Sequence, residues 1–241
     1  MICVSMSSPL ISQVKEYIYP HYSNPSMSNY GTTGLIMMPS ARLYPEGSLV
    51  FTWSHLEPYL RGSFVGYPFD WLEASYQYTD VNNKLYSDVP SFSGSQSYKD
   101  KSFDAKIRVF KEREFWPAVA VGFRDLGGSS LFASEYVVAS KMIGNIDLTL
   151  GMGWGVIGNN KVKNPLTYIG DRFRTRSRNT SGDTQGGEVN YETFFSGETA
   201  SLFGGVEIYL PRMKGTRLKI EYDGNYYGKV SDEVVNGPYV L

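Results

Sequence analysis

The chain has 241 residues with 23 basic and 24 acidic side chains, a formal net charge of -1, so no long-range field draws it toward nucleic acid or an anionic surface. No window reaches the roughly 18 consecutive apolar residues that a spanning helix needs, which leaves a closed β-barrel as the only route across a membrane. Aromatic residues make up 15% of the chain and 25 glycines accompany them, a mixture suited to many strands and turns.

Cys3 has no second cysteine to pair with, so neither an internal disulfide nor a cysteine-built zinc site is available. The first residues lack a basic start followed by a continuous apolar core and do not read as a signal peptide. Residues Pro9 to Ile18 carry Leu10, Val14, Tyr17 and Ile18 on one helical face, with Ser8 to cap and Pro20 to stop. They are expected to form a short helix, and residues 20 to 34, rich in Pro, Ser, Asn, Tyr and Gly, a loop. Residues 1-33 are thus read as a lead-in and 34-241 as one antiparallel β-barrel domain.

From Leu49 the pattern has period two. Leu49, Phe51 and Trp53 alternate with polar or smaller residues; Leu72, Ala74, Tyr76 and Tyr78 alternate with Glu73, Ser75, Gln77 and Thr79. After a loop expected over 81 to 102, Ala105, Ile107 and Val109 oppose Asp104, Lys106 and Arg108, and Phe115, Val119, Val121 and Phe123 oppose Trp116, Ala118, Ala120, Gly122 and Arg124. A hairpin follows, and in its second strand Ile146, Leu148, Leu150, Met152 and Trp154 share one parity against Asp147, Thr149, Gly151 and Gly153. Residues 159 to 190 read as a loop too polar to pack. Strands return at Leu202 to Leu210 and Thr216 to Asp223. The total is about eight to ten strands, antiparallel because no helices stand between them.

Such two-faced strands fit a soluble sandwich, whose apolar faces meet, and an outer-membrane barrel, whose apolar faces meet lipid. Several segments reach the roughly 9 to 11 residues of a membrane strand. If the apolar parity faces lipid, the lumen is lined by Glu73, Gln77, Lys106, Arg108, Trp116, Arg124, Glu135, Lys141, Asp147, Arg217, Lys219 and Glu221, a polar and aromatic set suited to a glycan.

Catalytic signatures are missing. Gly153, Gly155 and Gly158 match a dinucleotide-binding spacing, with Asp171 downstream, but Asn159, Asn160, Asn164 and Pro165 follow where a helix must start. His21 and His55 lack metal-ligand spacing, and Asp70 with Glu73 carries glycosidase chemistry only at a separation that sequence does not give. No catalytic residue, metal or cofactor is therefore expected. Asn179-Thr180-Ser181 is a formal glycosylation sequon. Arg172, Arg174, Arg176 and Arg178 would place four guanidinium groups on one side of an extended segment, as an anion-gripping ladder; a solvated loop is the competing reading.

The run FWPAVAVGFRDLGGSSLFASEYVVASKMIGNIDLTLGMGWG closely resembles the YjbH/GfcD-like family of outer-membrane exopolysaccharide and capsule proteins. TGLIMMPSARLYPEG, KDKSFDAKIRVFKE, GGEVNYETFFSGETASLFGGVEIYLP and LKIEYDGNYY are similar to further family segments, so the likeness spans about Gly34 to Tyr227. It implies a non-catalytic outer-membrane β-barrel in a Gram-negative envelope that helps to export or assemble a polysaccharide alongside other export proteins. Family members are longer, which implies the N-terminal part of such a barrel. A soluble carbohydrate-binding sandwich and a glycan-cleaving enzyme are the alternatives.

Overall fold

The computed structural model describes residues 25–225 apart from 88, 159–161, 177–188, 190, 211–212 and 214–215. The expected helix at Pro9 to Ile18 and the sequon lie outside the described residues. Ten strands form the sheet: β1 Leu49–Leu56, β2 Tyr59–Phe69, β3 Leu72–Leu85, β4 Ser97–Phe110, β5 Ala118–Arg124, β6 Ser134–Ile143, β7 Ile146–Gly155, β8 Val162–Lys163, β9 Thr199–Tyr209 and β10 Arg217–Tyr222. Nine run in the order β1-β2-β3-β4-β5-β6-β7-β9-β10, all pairs antiparallel, and β8 pairs with β9.

Two sequence expectations need correction here, and one strand, β2, is absent from them. β2 has no clean alternation, because Gly62, Gly66 and Pro68 interrupt one face and Arg61 and Ser63 the other. Half of the expected loop at 81 to 102 is strand: β3 runs on to Leu85, a four-residue helix Pro90–Ser93 makes the turn, and β4 starts at Ser97. The insert after β7 is also not too polar to pack. Its Asn164 is fully buried, with short 3-10 turns at Pro165–Tyr168, Asp171–Phe173 and Tyr191–Thr193.

The two faces of the sheet have opposite character, and their burial is the reverse of a soluble protein's. Outward side chains are apolar and exposed: Phe51 is 57% exposed, Trp53 63%, Leu150 65% and Ile220 60%. Inward residues are polar or charged and buried, with Glu73 at 2% and Lys106 at 1%. Residues 26–44 lie against this inner face. They hold only isolated bridges, Met27 with Thr33 and Gly34 with Pro39, so residues 26–33, read from sequence as lead-in, are packed inside the sheet.

The enclosed segment shows that the sheet is curled. Eight steps separate β1 from β10 along the strand order, and a flat sheet at about 4.8 Å a step would hold them about 38 Å apart. Yet the Met27 carbonyl accepts from Lys219 of β10 at 3.3 Å while the Asn29 carbonyl accepts from Ser54 of β1 at 2.6 Å. Bond lengths along that path allow at most roughly 27 Å between the two strands. The edges approach one another without pairing: among the described residues β1 and β10 remain the two ends of the sheet.

Glycines make room where large inward side chains cross. A Cβ on Gly122 would fall inside the Tyr136 ring, and one on Gly151 inside the Phe203 ring; both rings are buried. Gly122→Ala is therefore expected to lose about 1–3 kcal/mol through overpacking. Gly66→Ala, with only the Ala74 carbonyl as near as 4.0 Å, should cost nothing. Denaturant unfolding of the two variants in detergent checks the difference.

Candidate functional site

The candidate site is the inner face itself, where charged side chains bind the backbone of residues 26–44. An irregular segment enclosed by protein must find partners for its N–H and C=O groups, and the strands supply them from several directions. Glu221 on β10 accepts the successive N–H groups of Ile36 at 2.8 Å, Met37 at 3.0 Å and Met38 at 2.9 Å. Two residues earlier on the same face, Lys219 donates to the carbonyls of Met27 at 3.3 Å, Gly34 at 3.2 Å and Leu35 at 2.6 Å.

The opposite wall answers in kind. Glu73 on β3 accepts from Thr33 N–H at 3.2 Å, from the Thr33 hydroxyl and from Tyr67 at 2.9 Å, and it pairs with Lys106 of β4 at 3.0 Å. Lys106 in turn donates to the Thr33 carbonyl at 3.2 Å. Gln77 reaches the Tyr30 carbonyl at 2.8 Å, and Arg124 of β5 the Met37 carbonyl at 2.9 Å. Arg124 also lies 3.7 Å from the centre of the Tyr30 ring, a cation–π contact in a desolvated setting. Burial is the main reason the Tyr30 hydroxyl is held well above its ordinary pKa.

Arg42 clamps the segment where it leaves the sheet toward β1. Its guanidinium bonds both oxygens of Asp147 at the start of β7, at 2.8 and 2.7 Å, and pairs with Glu112 beyond the end of β4. Burial alone would lower the Arg42 pKa, but the hydrogen bonds and charges of Asp147 and Glu112 outweigh it and raise it. Burial would likewise raise Glu112, yet Arg42, the Met142 N–H and Lys141 hold it below the usual carboxylate range. An acid depressed in the folded state adds stability above its unfolded pKa and loses it as pH falls, so the Glu112 arm of this clamp weakens in acid.

The expected lining residues divide accordingly. Glu73, Gln77, Lys106, Arg124, Asp147, Lys219 and Glu221 lie on the inner face and engage the enclosed segment. Arg217, also inward, pairs with Glu207 at 3.0 Å, and Arg108 bonds the Asp70 carbonyl at the strand end. Three of the expected residues are not on this face. Trp116 is 72% exposed in the connection before β5 rather than in a strand. Glu135 and Lys141 share the outward parity of Val137, because β6 starts at Ser134 with its inward residues at even numbers. Glu135 is buried there by Arg176, which bonds it at 2.7 and 2.9 Å; Lys141 pairs with Glu112 at 3.0 Å and donates to the Arg113 and Glu114 carbonyls.

The arginine ladder does not form. Asp171–Phe173 is a 3-10 turn, not an extended run; Arg172 stacks on Phe173, Arg174 pairs with Asp171, and Arg176 turns back onto the outward face of the sheet to Glu135. Arg178 lies outside the described residues. The same insert covers Trp154, whose Nε1 donates to Asn164 at 2.9 Å and whose ring meets Phe195 edge-on at 5.1 Å. Trp154, expected among the outward lipid-facing residues, is therefore only 4% exposed. Sequence reasoning missed Arg42 and Glu207 as partners; Arg42 sits beside Pro39 and Pro45 in a segment without periodicity, which hides its role.

Glu221→Ala removes the acceptor of three adjacent N–H groups and is expected to cost at least about 2 kcal/mol. Hydrogen exchange should show protection lost at Ile36, Met37 and Met38 while β2 to β5 keep theirs.

The family model described as "Exopolysaccharide biosynthesis protein YbjH" matches residues 26–236. The chain is 45% identical over 210 residues to the "Uncharacterized lipoprotein YjbH" of Escherichia coli (strain K12), an alignment that covers 87% of this chain and 29% of the E. coli protein. No solved structure matches. The matched span takes in both the enclosed segment, from Ser26, and the strand that clasps it at Glu221, and the chain belongs to the YjbH family of exopolysaccharide biosynthesis proteins.

Proposed function

We propose that this chain forms part of the wall of an outer-membrane β-barrel in a Gram-negative envelope, where it helps to export or assemble an exopolysaccharide without catalysing a reaction. The observation that carries this reading is the outward apolar face. Leu49, Phe51, Trp53, Phe64, Phe103, Leu150, Leu218 and Ile220 project away from the buried charges and have no second sheet over them among the described residues. In a soluble sandwich those side chains would meet a second sheet. In a bilayer they meet acyl chains, while the polar face turns inward. No helix among the described residues is long and apolar enough to cross a membrane, so the strands themselves are the proposed spanning elements.

On the inner face Glu73, Gln77, Lys106, Arg124, Lys219 and Glu221 are committed to residues 26–44, which supports reading the interior as a plugged space and not an open conduit. A polysaccharide that passed along Glu73, Lys106, Arg124, Lys219 and Glu221 would have to displace that segment, and its hydroxyls would replace the peptide groups bound there. The E. coli relative is titled a lipoprotein, which agrees with an envelope location for this chain.

Two measurements test the reading. The chain is expected in the detergent-extracted outer-membrane fraction with heat-modifiable gel migration; a folded soluble monomer in the periplasm overturns it. In vesicles with brominated acyl chains, a variant retaining only Trp53 is expected to be strongly quenched and one retaining only Trp154 to be protected. Equal quenching would refute the assigned orientation.

A further inference from the structure

The connections of the sheet sort by length between its two ends. Because consecutive strands are antiparallel, residues 70–71, 111–117, 144–145 and 210–216 join strands at one end, and residues 57–58, 86–96, 125–133 and 156–198 at the other. The first set holds only short links. The second includes the helix Pro90–Ser93 and the insert with β8 and the turns Pro165–Tyr168 and Asp171–Phe173. Barrels of the outer membrane show the same asymmetry, with short turns toward the periplasm and long loops toward the outside.

The short-turn end also carries a concentration of exposed aromatic rings, and two of them are aimed there by irregularities of the sheet. On β2, Val65 and Tyr67 are buried on the inner face, and strict alternation would put Phe69 beside them. A register shift between Gly66 and Phe69 instead sets Phe69 opposite Leu72, on the outward row of β3, and leaves it exposed. On β4, Phe110 has the parity of the inward Lys106, but a second shift sets it opposite Val119, on the outward row of β5, where it too is exposed. Bulges re-aim a side chain in this way and disrupt the ladder to do so. Phe69 then stacks on Trp71, with ring centres 5.3 Å apart and planes at 4°.

Phe115 and Trp116, 82% and 72% exposed, crown a turn that is fixed from below. The Arg113 N–H donates to the Trp116 carbonyl at 2.9 Å, and Lys141 donates to the Arg113 and Glu114 carbonyls at 2.6 and 2.9 Å. The β2–β3 turn is tied to the end of β4 by the Arg108 N–H on the Trp71 carbonyl at 2.8 Å and by Lys111 on Asp70. Large rings exposed on such a frame, and continuous with the outward apolar face through Ile107 and Val109, mark a contact surface. The chemistry that suits it is the headgroup layer of a bilayer, where aromatic girdles collect and where neighbouring cations such as Lys111 and Arg113 extend toward phosphate.

We propose that this end lies in the periplasmic leaflet of the outer membrane, with Phe69, Trp71, Phe110, Phe115 and Trp116 at the depth of its phospholipid headgroups, and that the turns Pro165–Tyr168 and Asp171–Phe173 stand on the cell surface. The assignment rests on the membrane reading above and adds to it the direction of insertion. It also places the exit of the enclosed segment. Arg42, Glu112 and Asp147 lie at the short-turn end, so the chain passes from residues 26–44 into β1 on the periplasmic side.

The test uses the full-length protein in whole cells, with single cysteines introduced at exposed positions of the two ends, Glu114 and Asp171. A polymer-bound maleimide too large to cross the outer membrane is expected to label Asp171→Cys in intact cells, and Glu114→Cys only after that membrane is permeabilised. The parent, with Cys3, sets the background. Any other pattern in intact cells overturns the assigned direction; the barrel reading survives that result if the protein stays in the outer-membrane fraction, and loss from that fraction sinks both. In vesicles of phosphatidylethanolamine and phosphatidylglycerol, a nitroxide on Phe115→Cys is expected to lose most of the accessibility to an aqueous nickel complex that one on Asp171→Cys shows. Equal accessibility would place the Phe115–Trp116 tip in water, open to a protein partner, and would overturn the lipid contact. Heat-modifiable migration confirms that each variant is folded before it is read.

Discussion

The structure depends on one exchange: charged side chains of the wall supply the hydrogen bonds that an irregular backbone cannot make for itself. Residues 26–44 have neither helix nor ladder, and enclosed peptide groups left without partners cost about 1–3 kcal/mol each. Glu221 serves three adjacent N–H groups and Lys219 three carbonyls, from positions two residues apart on one strand. A carboxylate followed by an ammonium along one strand face therefore matches the alternating polarity of a folded-back peptide. The same carbonyls and N–H groups keep those charges from standing bare in a desolvated interior, so wall and segment solve each other's problem.

This exchange also explains why the sheet curls without strand pairing at its edges. Ser54 on β1 and Lys219 on β10 both hold the stretch Met27 to Asn29, which draws the two edges toward a common centre. The rings of Tyr67 and Tyr44 meet at a tilt near the same place, 5.3 Å between centres, and Ser26 bonds Glu207 of β9 at 2.8 Å. The segment therefore does inside the sheet what a hydrophobic core does inside a soluble one, with ionic and hydrogen-bonded contacts in place of most apolar ones. Apolar packing remains in small clusters, such as Met37 and Met38 against Ala118, Ala120, Tyr136 and Phe203.

Strand alternation was legible wherever an inward polar row faced an outward apolar one, as in Glu73, Ser75, Gln77 and Thr79 against Ala74, Tyr76 and Tyr78. It failed at β2, where Gly62 and Gly66 occupy outward positions and erase the contrast. It misassigned Glu135 and Lys141 because polarity alone was read as inwardness, whereas a charged side chain can stand on the outward face when an insert or a strand-end carboxylate covers it. The enclosed segment was illegible for a different reason. Its partners are as far away as Glu221, and no local period records a contact made across the whole chain. The arginine spacing misled because a period of two has meaning only in extended backbone, and the Asp171–Phe173 turn removes it.

Glu221 lies 183 to 185 positions from the peptide groups it holds. Contacts of such separation form only after the intervening chain has been ordered, and the loop closure they require slows folding. A segment that precedes all ten strands in the chain is thus held by the last described strand. Since residues 26–44 are bonded to strands from both ends of the sheet, the segment is expected to be in place while the strands gather, as a former around which they are laid. In this architecture the filling precedes the container.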